Sequence, residues 1–125
     1  MKNILLIGCG GFVGSIARYF VSKLNLQWEI LSIPMGTLLV NVFGSFLIGF
    51  FTGISERGTA LNVEWRMFLM VGLCGGFTTF STFSNENLTL MRNGQFSIVL
   101  LYTGISVLFG FTAVYLGYST TKLLS

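Results

Sequence analysis

The sequence contains no histidine, one proline and few charges. Of its 125 residues only 9% are charged, 7 basic and 4 acidic. Without histidine, imidazole metal sites and histidine-based catalysis are excluded, and so few charges cannot cover the surface of a soluble domain of this size. The basic residues are scattered singly, so no cluster is available to bind nucleic acid. Cys9 and Cys74 lie inside apolar segments without metal-ligand spacing, which predicts buried free thiols.

Long apolar runs dominate what remains. Hydrophobic residues make up 53% of the chain and the mean hydropathy is +0.80, which is typical of integral membrane proteins. Charges divide the chain into four apolar segments, each meeting the ~17–25 residues that a spanning helix needs. We therefore predict an all-α, four-helix transmembrane domain over residues 1–125. The spans are predicted at residues 4–21, 30–55, 67–90 and 96–120.

The segment ends carry aromatic rings and a nearly balanced set of charges. Interfacial aromatic rings are predicted at Trp28, Trp65, Tyr115 and Tyr118. With four spans, both ends of the chain face one side of the membrane. That side receives Lys2, Arg57, Arg66 and Lys122, and the other receives Lys23, Arg92 and, near a span end, Arg18. Such a small bias lets a chain insert in both orientations, which permits an antiparallel homodimer. Alternatively, two arginines in one loop fix a single orientation.

Polar residues form a stripe on the second span. Thr37, Asn41 and Ser45 are spaced four apart, so they lie on one face of a helix. A lone asparagine in a membrane often only links helices, at about 0.6–2 kcal/mol. A stripe of three polar residues in an apolar setting indicates a site, although packing remains the alternative.

The third span contains the run Gly-Gly-Phe-Thr-Thr-Phe-Ser-Thr-Phe, residues 75–83. Adjacent glycines and the β-branched pair Thr78-Thr79 weaken a helix. In a bilayer, irregular backbone persists only inside protein or beside a polar cavity. We therefore predict a helix broken at mid-membrane that forms part of a site. The alternative is an intact helix softened by glycine.

The polar residues predicted inside the spans are neutral. No Asp, Glu or Lys lies in the central part of a span, where a proton-coupled antiporter normally keeps an ionisable group. Hydroxyls occur instead, at Ser81, Thr82, Ser84, Tyr102, Thr103 and Ser106. Neutral donors can replace the water around an anion without binding it too tightly. Phe80 and Phe83 would share one helix face, with electropositive ring edges, although ordinary core packing explains such rings equally well.

Three segments resemble the Fluc (CrcB) fluoride channels of bacteria. They are Gly10 to Ser15 with Arg18-Tyr19, Gly36 to Ser45, and Gly72 to Phe83. The second segment, which contains Asn41, is highly specific in combination with the Gly-Gly-x-Thr-Thr-Phe-Ser-Thr-Phe run. The fourth span is similar only in character.

The resemblance implies an antiparallel, dual-topology homodimer with two fluoride pores and a structural sodium ion at its centre. The sodium ligands would be backbone carbonyls of Gly75 and Thr78. The implied fluoride pathway comprises Thr37, Asn41, Phe80, Ser81, Thr82, Phe83, Tyr102 and Ser106. Glu86 and Arg18 resemble vestibule residues. Gly110 departs from the hydroxyl sometimes found one turn beyond Ser106.

These features together predict a passive fluoride channel of the bacterial cytoplasmic (inner) membrane, a multi-pass protein that relieves fluoride toxicity. Its expected partners are the fluoride ion, the lipid bilayer and a second copy of the chain, and no enzyme activity is implied. One alternative is a proton-coupled four-span small multidrug exporter, which fits the size and charge balance. Another is a structural subunit that transports nothing.

Overall fold

The computed structural model describes residues 1–27, 29–57 and 61–124. Its helices are α1 (Lys2–Ser22), α2 (Leu24–Gln27), α3 (Met35–Glu56), α4 (Val63–Arg66), α5 (Gly75–Phe77), α6 (Phe80–Arg92) and α7 (Phe96–Thr120). A π-helical segment, Met67–Cys74, joins α4 to α5, and a 3₁₀ turn, Thr121–Leu124, follows α7. Strands β1 (Glu29–Ile30) and β2 (Ile33–Pro34) precede α3. Trp28, predicted at a membrane interface, lies outside the described residues.

Helical stretches that could span a membrane account for most of the described chain. Four are long and apolar enough: Lys2–Ser22, Met35–Glu56, Val63–Arg92 and Phe96–Leu123. The prediction of a mostly helical protein with four candidate spans is confirmed. The prediction of buried thiols is correct for Cys74 and wrong for Cys9, which is exposed on α1. An apolar setting does not predict burial here, because a membrane helix carries apolar residues on its lipid-facing side as well.

A short hairpin delays the start of the second span. Ile30 pairs with Ile33 and Glu29 with Pro34, in antiparallel register. The two turn residues, Leu31 and Ser32, have φ values of 55° and 69°, the left-handed conformation that a two-residue hairpin turn requires. The helix therefore begins at Met35 instead of at residue 30.

The long helices pack as two close pairs. Helix α1 lies against the π-helical segment and α5, and α3 lies against α7. Glycine makes both contacts close: a Cβ on Gly14 would collide with the Leu73 carbonyl, and one on Gly117 with the Phe46 carbonyl. In lipid, such backbone-to-backbone contacts replace much of the packing that larger side chains supply in water.

Contacts at the helix ends define the two ends of the bundle. At one end, Lys2 forms an ion pair with Glu64 at 2.9 Å, and the Tyr118 hydroxyl donates to Glu56 at 2.6 Å. The first contact joins the start of α1 to α4, and the second joins the end of α7 to the end of α3. At the opposite end, a buried cluster of Ile33, Leu38, Leu90 and Tyr102 joins the hairpin to α3, α6 and α7.

Candidate functional site

Two extended residues separate α5 from α6. Thr78 has φ −84° and ψ 157°, and Thr79 has φ −152° and ψ 121°. The Thr78 N–H still donates to the Cys74 carbonyl at 3.1 Å, so the helical pattern stops immediately afterwards. We call residues 78–79 the interruption. The backbone groups on either side of it need partners other than the usual helical ones.

Asn41 supplies two of those partners. Its Oδ1 accepts from the Thr79 N–H at 2.9 Å, and its Nδ2 donates to the Thr79 carbonyl at 3.1 Å. In a regular helix the Thr79 N–H would instead donate to the carbonyl of Gly75. The side-chain amide of Asn41 thus takes the place of a neighbouring peptide group.

Thr79 also starts the next helix. As the N-cap residue of α6, it accepts from the Thr82 N–H through its hydroxyl at 3.2 Å. A regular helix would use that N–H for the Thr78 carbonyl. Such a side-chain cap satisfies one of the donors left free at a helix start.

The carbonyls of Gly75 and Thr78 therefore both lose their usual N–H donors. Both residues line a cavity of about 390 Å³, together with Asn41, Ser45 and Phe80. Carbonyl oxygens of this kind are suitable ligands for a hard cation. Among the described residues, no group of three or more His, Cys, Asp or Glu side chains could hold a metal ion. This donor set of neutral oxygens suits a small monovalent cation.

Arg18, on α1, contacts the end of α5 just before the interruption. Its Nε donates to the Gly76 carbonyl at 3.1 Å. The same arginine lines a second cavity, of about 290 Å³, between α1, α3 and α6. Its polar lining consists of Arg18, Ser22, Asn25, Thr37, Thr79 and Thr82. Arg18 therefore brings one positive charge to this space, and the rest of its polar lining is neutral.

Glu86 organises a hydrogen-bonded cluster that includes two residues of that lining, Asn25 and Thr37. Its Oε2 accepts from the Thr37 hydroxyl at 2.8 Å and from Asn25 Nδ2 at 3.2 Å, and its Oε1 accepts from the Tyr102 hydroxyl at 2.8 Å. Thr37 and Tyr102 are buried. Because a hydroxyl has a single hydrogen, both hydroxyls are committed to the carboxylate in this conformation.

Aromatic rings connect the interruption to this cluster. The Phe80 and Phe83 ring centroids lie 5.9 Å apart, and those of Phe83 and Tyr102 4.9 Å apart. Phe80 is 78% exposed in the single chain, and Ser81 beside it is also exposed. The two phenylalanines are therefore neighbours, with one ring turned outward and the other packed on tyrosine.

Ser106 stands apart from the other predicted residues. It lies half-buried on α7, one turn beyond Tyr102, and its side chain makes no hydrogen bond within the described part of the chain. The structure thus brings the remaining predicted residues into two neighbouring groups, one at the interruption and one around Glu86.

The comparison with protein families gives a direct assignment. The model described as "CrcB-like protein, Camphor Resistance (CrcB)" matches residues 5–118. The chain belongs to the CrcB family. The resemblance to this family predicted from sequence is confirmed.

Curated relatives of this CrcB chain are similar over nearly their whole length. Three of them, each named "Fluoride-specific ion channel FluC", come from Bacteroides fragilis, Azobacteroides pseudotrichonymphae and Pyrococcus abyssi. The first is 46% identical over 120 residues, 94% of each chain. The second is 39% identical over 122 residues, 98% of each chain, and the third 40% over 118 residues, 94% of each. With four candidate spans, the CrcB chain is a multi-pass membrane protein.

Sequence reasoning missed Asn25 in the CrcB site, and it placed Thr79 in the run 75–83 without assigning it a role. The signal for that role was present, because a threonine just before a resumed helix favours an N-cap. Both polar atoms of the Asn25 side-chain amide bond Thr37. Oδ1 accepts from the Thr37 N–H at 3.1 Å, and Nδ2 donates to the Thr37 hydroxyl at 3.0 Å. Nothing in the sequence near Asn25 indicates this partner, which the fold brings from 12 residues away.

Proposed function

We propose that this CrcB chain is a passive, fluoride-selective channel that lets fluoride leave the bacterial cytoplasm across the inner membrane. The observation that carries the proposal is the set of relatives named as fluoride-specific ion channels, 39–46% identical over nearly the full chain. Hydrogen fluoride enters cells as a neutral acid and dissociates inside. A fluoride leak driven by the membrane potential would therefore relieve the toxicity.

The fluoride pathway would follow the polar residues and ring edges already described. Its residues would be Thr37, Asn41, Phe80, Ser81, Thr82, Phe83, Tyr102 and Ser106. Asn41 has a second amide hydrogen that the Thr79 carbonyl does not use. Ser81 and Thr82, which follow Thr79 on α6, carry hydroxyls. The hydroxyls of Thr37 and Tyr102 would have to leave Glu86 before they could donate to an anion. Arg18 and Glu86 would lie at vestibules.

Selectivity would come from the size and charge of the passing ion. A narrow track of neutral donors replaces the water of a small anion more completely than that of a larger one. Fluoride would therefore pass and chloride would be excluded. No step of this transport requires catalysis.

The functional unit would be an antiparallel homodimer. The cavity at the interruption opens on the outside of the single chain, where Gly75 and Phe80 are exposed. A second copy facing this side would close the cavity. The Gly75 and Thr78 carbonyls of both copies would then converge, which favours a bound sodium ion at the centre. That ion would supply positive charge to oxygens that otherwise repel one another.

Flux measurements on purified protein in liposomes test the proposal. Fluoride efflux should be fast, and chloride efflux should equal that of protein-free liposomes. A comparable chloride flux would contradict the assignment. A proton-coupled multidrug exporter would instead show transport that depends on the pH gradient, and a structural subunit would conduct neither ion.

A further inference from the structure

One face of α1 lies directly against the end of α5. Gly11, Gly14, Ser15 and Arg18 share this face, at the spacing of successive helical turns. A Cβ on Gly76 would come within 2.7 Å of the Gly11 carbonyl and 3.2 Å of the Ser15 hydroxyl. The two backbones touch here. Arg18 lies one helical turn after Gly14, which brings it to the carboxyl end of α5.

The carbonyl of Gly76 has a special need for a donor. In a continuous helix it would accept from the N–H of Phe80, but Phe80 is the first residue of α6. An unpaired carbonyl is strongly unfavourable in the hydrocarbon region, where no water can replace the missing donor. Arg18 Nε donates to this carbonyl at 3.1 Å. Its positive charge also complements the negative end of the helix that terminates there.

Lys23 provides a contrast on the same helix end. Its ammonium lies 5.0 Å from the centre of the Tyr19 ring and 5.2 Å from that of Phe20. It follows α1 as the C-cap residue, and none of its side-chain contacts within the described residues involves a backbone carbonyl. Only one of these two neighbouring cations therefore supports the interruption.

We propose that Arg18 is a positioning residue, which holds the carboxyl end of α5 through the Gly76 carbonyl. The adjacent Gly75 carbonyl and the Thr79–Asn41 bonds then keep their places. The predicted effect on fluoride flux rests on the proposed function. The contact between Arg18 and the Gly76 carbonyl does not depend on that function. A residue that only attracts anions would raise the local fluoride concentration and leave the backbone unaffected.

Hydrogen–deuterium exchange separates these two roles without any transport assay. Three variants are compared with the unmodified protein: Arg18→Gln, Arg18→Lys and, as the matched control, Lys23→Gln. In Arg18→Gln the amides of Thr79 and Thr82 should exchange about tenfold faster, since a hydrogen bond from a charged donor is lost. Amides of α7 and all amides of Lys23→Gln should be unchanged. Arg18→Lys keeps a charged donor and should give intermediate exchange.

Fluoride flux in liposomes, measured over a series of fluoride concentrations, gives the second readout. The maximal rate of Arg18→Gln should fall about tenfold, since a hydrogen bond from a charged donor is lost, at an unchanged half-saturating concentration. Anion attraction alone would raise that concentration and restore the full rate at high fluoride, which would overturn the proposal. Exchange at Thr79 and Thr82 equal to that of the unmodified protein would overturn it too.

The two proposals can fail separately. If the unmodified protein passes no fluoride, the proposed function fails and the exchange data still decide the role of Arg18. If Arg18→Gln does not fold, Arg18→Lys decides, with intermediate exchange expected. Exchange in Arg18→Lys equal to that of the unmodified protein would then count against the proposal.

Discussion

At the scale of single residues, Asn41 owes its position to the chemistry of the amide group. An amide has both a donor and an acceptor, so one side chain can satisfy the N–H and the carbonyl of Thr79 together. Aspartate has nearly the same volume but only acceptors when ionised. An aspartate at position 41 could therefore accept from the Thr79 N–H but could not donate to the Thr79 carbonyl.

Asn41→Asp should abolish fluoride flux, because the Thr79 carbonyl loses its donor and faces a carboxylate instead. Fluoride efflux from liposomes is the measurement. The matched control is Asn85→Asp, the same change at an exposed position of α6, which should conduct normally. Near-normal flux in Asn41→Asp would mean that Asn41 serves only as packing.

Sequence spacing located some of these residues but not their partners. The stripe of Thr37 and Asn41 followed from the four-residue period of a helix, and both lie at the site. Their partners, Glu86 and Thr79, come from 49 and 38 residues away. Periodicity describes one helix at a time, so it cannot show which donor and acceptor meet between helices.

At the scale of the helices, contact between α3 and α7 depends on the absence of side chains. A Cβ on Gly49 would collide with the Val114 carbonyl, and one on Gly117 with the Phe46 carbonyl. By contrast, a Cβ on Gly104 of the same α7 would meet nothing within 4 Å. Helix α7 therefore carries one glycine with no room for a side chain, Gly117, and one with room, Gly104.

Gly117→Ala should destabilise the protein by roughly 1–3 kcal/mol, because the added methyl group separates two backbones in contact. Gly104→Ala should leave stability unchanged or raise it slightly, since alanine is the better helix former. Thermal unfolding of both variants in the same detergent measures the difference. Equal melting temperatures would show that α3 and α7 can separate without cost.

Hydropathy predicted the helices well and the irregular elements poorly. Apolar length alone located four candidate spans, since the bilayer sets the length of a spanning helix. The hairpin at residues 29–34 was missed, because its turn residues, Leu31 and Ser32, are not the glycine or asparagine typical of such turns. The π-helical segment also escaped, since residues 67–74 carry no sequence signal that separates π from α.

At the scale of the whole molecule, orientation in the membrane is the first property to test. If the chain forms an antiparallel dimer, a single cysteine added at either terminus should be labelled from both sides of the membrane. Native Cys9 and Cys74 would first be replaced by serine. A cysteine at Asn93, at the opposite end of the bundle, is the control. Labelling of the termini from one side and Asn93 from the other would contradict dual topology.

The proposed central ion makes a second prediction about the assembly. Replacing all sodium by a bulky organic cation should lower both fluoride flux and the melting temperature, because a ligand that binds only the folded state stabilises it. Restoring sodium should recover both. Full flux and an unchanged melting temperature after thorough exchange would rule out a structural role for sodium.

The π-helical segment Met67–Cys74 has a consequence for insertions and deletions. A π turn holds one residue more than an α turn, so removing one residue could restore α-helical bonding locally. The residues beyond the segment would then face nearly as before, because five residues of a π turn and four of an α turn cover almost the same angle around the helix axis. The glycines of α5 would still face α1, and Thr79 would still face Asn41. A one-residue deletion within Met67–Cys74 should therefore be tolerated better than a one-residue deletion in α6 or α7, where no wide turn absorbs the change.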